Sequence, residues 1–286
     1  MLSFGATTHA RNWMFSEARL LELRHATQQQ AAAKLKAAIA DAPEESAGGA
    51  GVVALSVEEE ALLVLFYERQ LQLICKREHA EDARRFTPRL MLTAQTYLKR
   101  YFLKVSTLEE EPKEVLLAAI YLAAKVEEEN VSLSDLIPKY ASNVTEEKLL
   151  AVEMRLLEAL GFELVVRSPL RALTGYITDL ASTWASAGVS EAHSRDASAR
   201  LHQASNANIE RLLCSEAPFL FSPQQLALGA LTHAAEEVQL PEAAGGENAL
   251  KGWLEQRFAF LDQGEANGAG GGAFFCSSMY RLAAAQ

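Results

Sequence analysis

Twelve residues from Val115 to Val126 read Val-Leu-Leu-Ala-Ala-Ile-Tyr-Leu-Ala-Ala-Lys-Val, with Lys125 as their only charge. A stretch that is apolar around nearly its whole circumference folds as the central, buried helix of a bundle. It falls short of the roughly 20 apolar residues that cross a bilayer, and acidic residues flank it at Glu109 to Glu111 and Glu127 to Glu129. An ammonium near the end of such a helix needs a partner, because a buried charge without one is costly. Lys125 is therefore the first residue the fold has to accommodate.

The neighbouring sequence reads as helices with identifiable starts. Ser56 followed by Glu58 to Glu60 is an N-cap with an acidic first turn, opening a helix to about Lys76. Thr87-Pro88 opens another to about Lys104, and Pro112 opens the apolar helix. Ser132 and Thr145 each precede acidic residues and start two more, with Gly161 ending the last. Upstream, Arg11 to Ile39 carries Trp13, Phe15, Leu20, Leu23, Leu35 and Ile39 among strong helix formers, which predicts one or two helices joined loosely to the body. Ala42 to Gly51 reads as a linker, and Gly264 to Gly272 as part of a low-complexity tail. No strand-like alternation competes, so the expected class is all-α.

The chain also repeats itself. Placing Pro112 over Pro223, a shift of 111 positions, lays Leu117 over Leu228, Ala119 over Ala230, Ala123 over Ala234 and Ala124 over Ala235. Without a gap, Leu90 then lies over Leu201, Leu98 over Ile209, Arg100 over Arg211 and Phe102 over Leu213. A shared proline followed by a shared face of small residues predicts a tandem duplication of one helical unit. Lys125 falls on Glu236, so whatever Lys125 does belongs to one copy only. The expected layout is an N-terminal extension and linker at 1–53, a first repeat at 54–163, a second at 164–262 and a tail at 263–286.

A second misfit lies at Glu153. Leu149, Leu150, Leu156, Leu157 and Leu160 form an apolar stripe at helical spacing, and Glu153 sits in its middle, while Arg155 and Glu158 face away as ordinary solvated charges. Breaking a buried ion pair typically costs about 3–5 kcal/mol, so two opposite misfits in one bundle invite pairing. Lys125 and Glu153 are each other's expected partner. The alternative is that Lys125 reaches solvent or its own helix's last carbonyls while Glu153 sits at a rim.

Composition narrows the function. A net charge of -10 argues against a nucleic-acid-binding surface and favours a protein partner. Cys75, Cys214 and Cys276 are isolated, the His residues are dispersed, and no phosphate loop or nucleophile elbow is present. The expectations are therefore a soluble, intracellular protein with no catalytic group, no cofactor, no metal and no membrane contact.

The string Ala123-Ala124-Lys125-Val126-Glu127-Glu128, followed one short helix later by Glu153, Leu157 and Phe162, resembles the signature of the cyclin box. Within the cyclin family the H type is the most similar, through Arg11-Asn12-Trp13-Met14-Phe15-Ser16, Tyr97-Leu98-Lys99-Arg100-Tyr101-Phe102-Leu103 and Ser168-Pro169-Leu170-Arg171. The resemblance covers about 9–240. It implies two tandem five-helix cyclin-box repeats and a regulatory subunit of a cyclin-dependent kinase, most closely the CDK-activating kinase of TFIIH, with a RING-containing assembly factor and a nuclear location. It also implies that Lys125 and Glu153 meet the backbone of the kinase's mobile helix, with Leu122, Val126, Leu157, Phe162 and Leu164 lining the same interface. The helix from Ser56 to Lys76 lacks the Met-Arg-Ala-Ile-Leu type of motif of cell-cycle cyclins, which favours a transcriptional type. Open alternatives are a cyclin C or L type, a TFIIB-like DNA-binding core, and a helical scaffold with no kinase.

Overall fold

The computed structural model describes residues 4–40, 53–238, 240, 250, 252–254, 256 and 257. The Ala42 to Gly51 linker, the stretch from Pro241 to Glu247, Cys276 and the tail lie outside the described residues. The described secondary structure is helical throughout, and the chain divides into two compact units, 1–166 and 167–286.

The first unit holds α1 (Thr8–Asn12), α2 (Glu17–Ala40), α3 (Val57–Glu81), α4 (Pro88–Phe102), α5 (Pro112–Val126), α6 (Leu133–Tyr140) and α7 (Glu146–Leu160). Local chemistry sets the starts. Ser56 and Glu59 form a reciprocal capping box, in which Glu59 N–H donates to the Ser56 hydroxyl at 3.2 Å and Ser56 N–H to the Glu59 carboxylate at 2.8 Å. Thr87, Ser132 and Thr145 cap α4, α6 and α7 in the same sense. α3 runs five residues past its expected end at Lys76, and α4 stops two residues short of Lys104. Gly161 ends α7 at φ 61°, a left-handed position open to glycine without a Cβ clash.

α5 is the centre of this unit, packed against α3, α4 and α7. Val115, Leu117, Ala118, Ala119, Ile120, Ala123 and Ala124 are fully buried, and its alanines let neighbouring helices approach closely. The acidic residues after it are not a merely solvated flank. Glu127 accepts a hydrogen bond from the Thr93 hydroxyl at 2.7 Å and pairs with Arg89, while Glu129 accepts from Thr87 N–H at 3.2 Å and from its hydroxyl. Glu128 lies between them at φ 59°, so the end of α5 is turned back and fastened to the start of α4.

The expectation of a loosely joined N-terminal segment is corrected. Trp13 is buried in the first unit, with Leu20 and Ala31 of α2 buried as well. Thr27 donates to the Leu103 carbonyl at 3.0 Å, and Gln28 to the Leu55 carbonyl at 2.7 Å. Partners so distant in sequence leave no local pattern.

The second unit holds α8 (Pro169–Ser186), α9 (Glu191–Leu213), the short α10 (Ala217–Leu220) and α11 (Pro223–Glu237). α11 has the bounds of α5 displaced by the repeat shift, and α9 ends at Leu213 as α4 ends at Phe102. Ser222 and Gln225 give α11 its own capping box. Leu173, Leu180, Trp184, Leu201, Ile209 and Leu231 form the core. Toward the C-terminal end, the described residues 250, 252–254, 256 and 257 are helical. Trp253 and Arg257 are tied to α8 through Asp179, which accepts from the indole N–H at 2.7 Å and from the guanidinium at 2.8 and 2.9 Å.

Those bonds hold the Asp179 carboxyl below the usual range, first through the Trp253 indole and then through Arg257. A depressed folded-state pKa stabilises above the unfolded value, and the contribution is lost as pH falls through the folded one. The contact is expected to be intact at neutral pH and to weaken only at pH values below the ordinary aspartate range. Acid titration monitored by tryptophan fluorescence checks this, with Asp179→Asn expected to flatten that part of the pH dependence.

Candidate functional site

Lys125, on the last turn of α5, and Glu153, in the middle of α7, meet as the spacing predicts. The ammonium donates to both carboxylate oxygens, at 2.7 and 2.9 Å. Their exposure is unequal. The Glu153 side chain is 7% accessible and that of Lys125 47%. The carboxylate is thus the buried anchor and the ammonium the presented head, seated also over the Tyr121 ring at 4.0 Å. An ammonium has three N–H donors, and two oxygens occupy two of them. The arrangement offers a pre-aimed donor at the surface, suited to a carbonyl oxygen of another chain.

The other residues expected around the pair divide. Phe162 is exposed, and Val126, Leu157 and Leu164 are partly exposed. Leu122 is not on that surface: at 3% exposure it faces the core beneath the pair, because its position on α5 points inward. Two apolar side chains that the sequence reading did not place there stand exposed on α7. Leu150, assigned to the buried stripe, is 41% exposed, and Met154 is 53% exposed. The buried face of α7 is instead Leu149, Val152, Glu153, Leu156 and Leu160. Leu150, Met154 and Leu157 share a second face at i, i+4 and i+7, a spacing that was available in the sequence. Arg155 is not simply solvated, for its guanidinium pairs with Glu110 at 2.6 Å.

Phe162 stands in an unusual backbone state. At φ 59° it follows Gly161 at φ 61°, so two successive residues are left-handed and a large apolar ring projects outward at 64% exposure. A non-glycine residue in this region costs on the order of 1–3 kcal/mol and persists only where its surroundings over-determine it. The following residues are held from behind. The Tyr97 hydroxyl donates to the Leu164 carbonyl at 2.6 Å, and Arg100 donates to the Glu163 carbonyl at 3.3 Å. Burial pushes the Arg100 guanidinium down to about 10.

Elsewhere in the first unit, Lys99 and Glu68 form an ion pair at 2.8 and 2.9 Å with both side chains buried. The sequence reading missed it, since Lys99 and Arg100 sit together in a stretch whose apolar spacing is imperfect. Glu78 receives Lys139 at 3.0 Å and the Tyr140 hydroxyl, joining α3 to α6. Among the described residues, no group of three or more His, Cys, Asp or Glu side chains is placed to hold a metal.

Comparison with known proteins agrees with this architecture. The family described as "Cyclin, N-terminal domain" matches residues 79–165, and that described as "Cyclin C-terminal domain" matches 168–266, together more than half of the chain. "Cyclin-H1-1" of Arabidopsis thaliana is 28% identical over 247 residues, covering 81% of this chain and 70% of the relative. Among solved structures, a chain of the CAK complex of Chaetomium thermophilum bound to ATP-gamma-S superposes with a TM-score of 0.75 at 24% identity, over 99% of this chain and 79% of that one. A chain of yeast TFIIK (Kin28/Ccl1/Tfb3) does so with a TM-score of 0.66 at 19% identity, over 98% and 99%. At these identities the superpositions speak for the fold, while the two sequence families cover both repeats. The chain belongs to the cyclin family.

Proposed function

We propose that this chain is the regulatory cyclin subunit of a CDK-activating kinase, of the kind that works within TFIIH on the activation loops of cyclin-dependent kinases and on the C-terminal repeats of RNA polymerase II. The observation that carries the kinase-binding role is the asymmetric pair: a half-exposed Lys125 held on a buried Glu153 beside exposed Leu150, Met154 and Phe162. The similarity to "Cyclin-H1-1" over most of both chains supports the H type. The fold is shared with chains of assemblies whose descriptions name CAK, and Kin28 with Tfb3. On this reading the partners are a kinase catalytic subunit and a RING-containing assembly factor, the complex acts in the nucleus, and this chain supplies no catalytic group.

The mechanism is allosteric. Lys125 donates to backbone carbonyls of the kinase's mobile helix or the segment before it, and the apolar side chains supply the contact area. Holding that helix inward lets its Glu pair with the Lys that positions ATP, completing the kinase site. The effect on the kinase equals the difference in this chain's affinity for the inward and outward states.

Lys125→Ala is expected to leave the helical content unchanged by circular dichroism and to weaken binding to a purified CDK-activating kinase catalytic subunit by roughly 10- to 100-fold, since a charged hydrogen-bond donor is lost from the interface. Binding by titration, and phosphorylation of a polymerase C-terminal repeat peptide, are the readouts. Undiminished binding and activation by the variant would sink the interface assignment. Capture of a different cyclin-dependent kinase in place of this one would move the chain to a cyclin C or L type.

A further inference from the structure

The residue after Phe162 connects the kinase-facing surface to the far N-terminus of the unit. Glu163 accepts from two consecutive residues, the Asn12 amide on one oxygen and the Trp13 indole N–H on the other, the latter at 2.7 Å. Trp13 is itself held. Its ring lies 4.6 Å from the Arg100 guanidinium and 4.6 Å from the Lys104 ammonium, and Lys104 donates to the Ala159 carbonyl at the end of α7 at 2.7 Å. Arg100 in turn donates to the Glu163 carbonyl. Asn12, Trp13, Arg100, Lys104 and Glu163 thus close a ring of contacts around the turn that forces Phe162 outward.

The turn needs such support. Two left-handed residues in succession are unfavourable for a phenylalanine, and a ring exposed to water gains nothing from burial that would offset the strain. What keeps the backbone in place is the clamp on either side of Phe162: α7 before it, held through Lys104, and Glu163 after it, held by the N-terminal segment. Trp13 is only 2% exposed, so it has almost no surface of its own to offer a partner.

We infer that the N-terminal segment is an internal brace in which Asn12 and Trp13, acting through Glu163, fix Phe162 on the kinase-binding surface, making them positioning residues for kinase binding. The inference rests on the interface reading of Phe162 given above. It assigns the Arg11 to Ser16 string a task inside the first unit. Association is favoured because the ring is set before the kinase arrives, and ordering it in the complex costs nothing further.

A double-mutant cycle in the full chain tests this. Trp13→Phe keeps an aromatic ring near both cations and removes the N–H donor. Asn12→Ala removes the other donor at an exposed position where folding is little affected. Each is measured alone and combined with Phe162→Ala, for affinity toward the purified kinase catalytic subunit and for thermal midpoint. In the native background each is expected to weaken binding by about tenfold, as loss of a bond to a charged acceptor allows. In the Phe162→Ala background the loss is expected to shrink to under about twofold, while the thermal shifts stay the same in both backgrounds. Equal losses in the two backgrounds, or none in either, would overturn the brace. A silent Phe162→Ala variant would overturn the interface reading itself, and the brace with it, so the two failures are told apart by that single variant.

Discussion

The charge-swapped chain carrying Lys125→Glu and Glu153→Lys is expected to fold and to fail in kinase binding. The swap preserves an ion pair between the same two positions, so the attraction joining α5 to α7 is retained in kind. It also moves the positive group from the exposed position to the buried one and places a carboxylate at the surface. A carboxylate donates no hydrogen bond and is repelled by carbonyl oxygens. Binding is expected to fall by at least about 100-fold, combining loss of a charged bond with a repulsive contact. Stability is expected to fall by about 1–2 kcal/mol, because a longer side chain must fit where Glu153 is enclosed. Calorimetric titration with the kinase subunit and urea unfolding of the free chain separate the two quantities. Full binding by the swapped chain would mean that the pair serves packing alone.

The second large effect is on stability. Lys99→Ala is expected to destabilise the first unit by about 3–5 kcal/mol, since Glu68 is then left as a buried charge without its ammonium partner. That is a large share of the roughly 5–15 kcal/mol by which domains of this size are stable. Replacing both partners, Lys99→Met with Glu68→Leu, is expected to recover most of the loss, because no charge then needs compensation and the volumes are similar. Denaturant unfolding of the single and double variants gives the comparison. A double variant as unstable as Lys99→Ala would mean that losing the ammonium beside the buried carboxylate was not what mattered, and that the packing of these side chains sets the stability.

The legible and illegible parts of this chain differ in the range of the interactions involved. Helix starts at Ser56, Thr87, Ser132 and Thr145 could be read because a cap is made within four residues of itself, and the start at Pro112 because a proline ring already holds the φ of a first helical turn. The repeat could be read because α5 and α11 share bounds at a constant shift. Lys125 and Glu153 were found by being misfits on apolar faces, a signal that needs no knowledge of distant partners. Trp13 could not be located that way. It is joined to Glu163 across 150 positions, and nothing adjacent to either residue announces the other. Leu150 was misplaced because its spacing suits two faces of α7, and only the packing of α5 against that helix decides which is covered. Leu122 shows the opposite error: a side chain adjoining a surface pair in sequence still points into the core.

The pairing of Lys125 with Glu153 has a kinetic consequence. Because the two charges cancel at close range, the pair itself projects little field beyond a Debye length, about 8 Å at physiological salt. On the proposed kinase-binding reading, the pair itself contributes little long-range steering of a kinase. On the same reading the pair acts after encounter, at contact distance, so its influence falls on how long a complex lasts and little on how often partners meet. The buried carboxylate turns a cation that would otherwise attract any acidic surface from afar into a short-range test of backbone geometry.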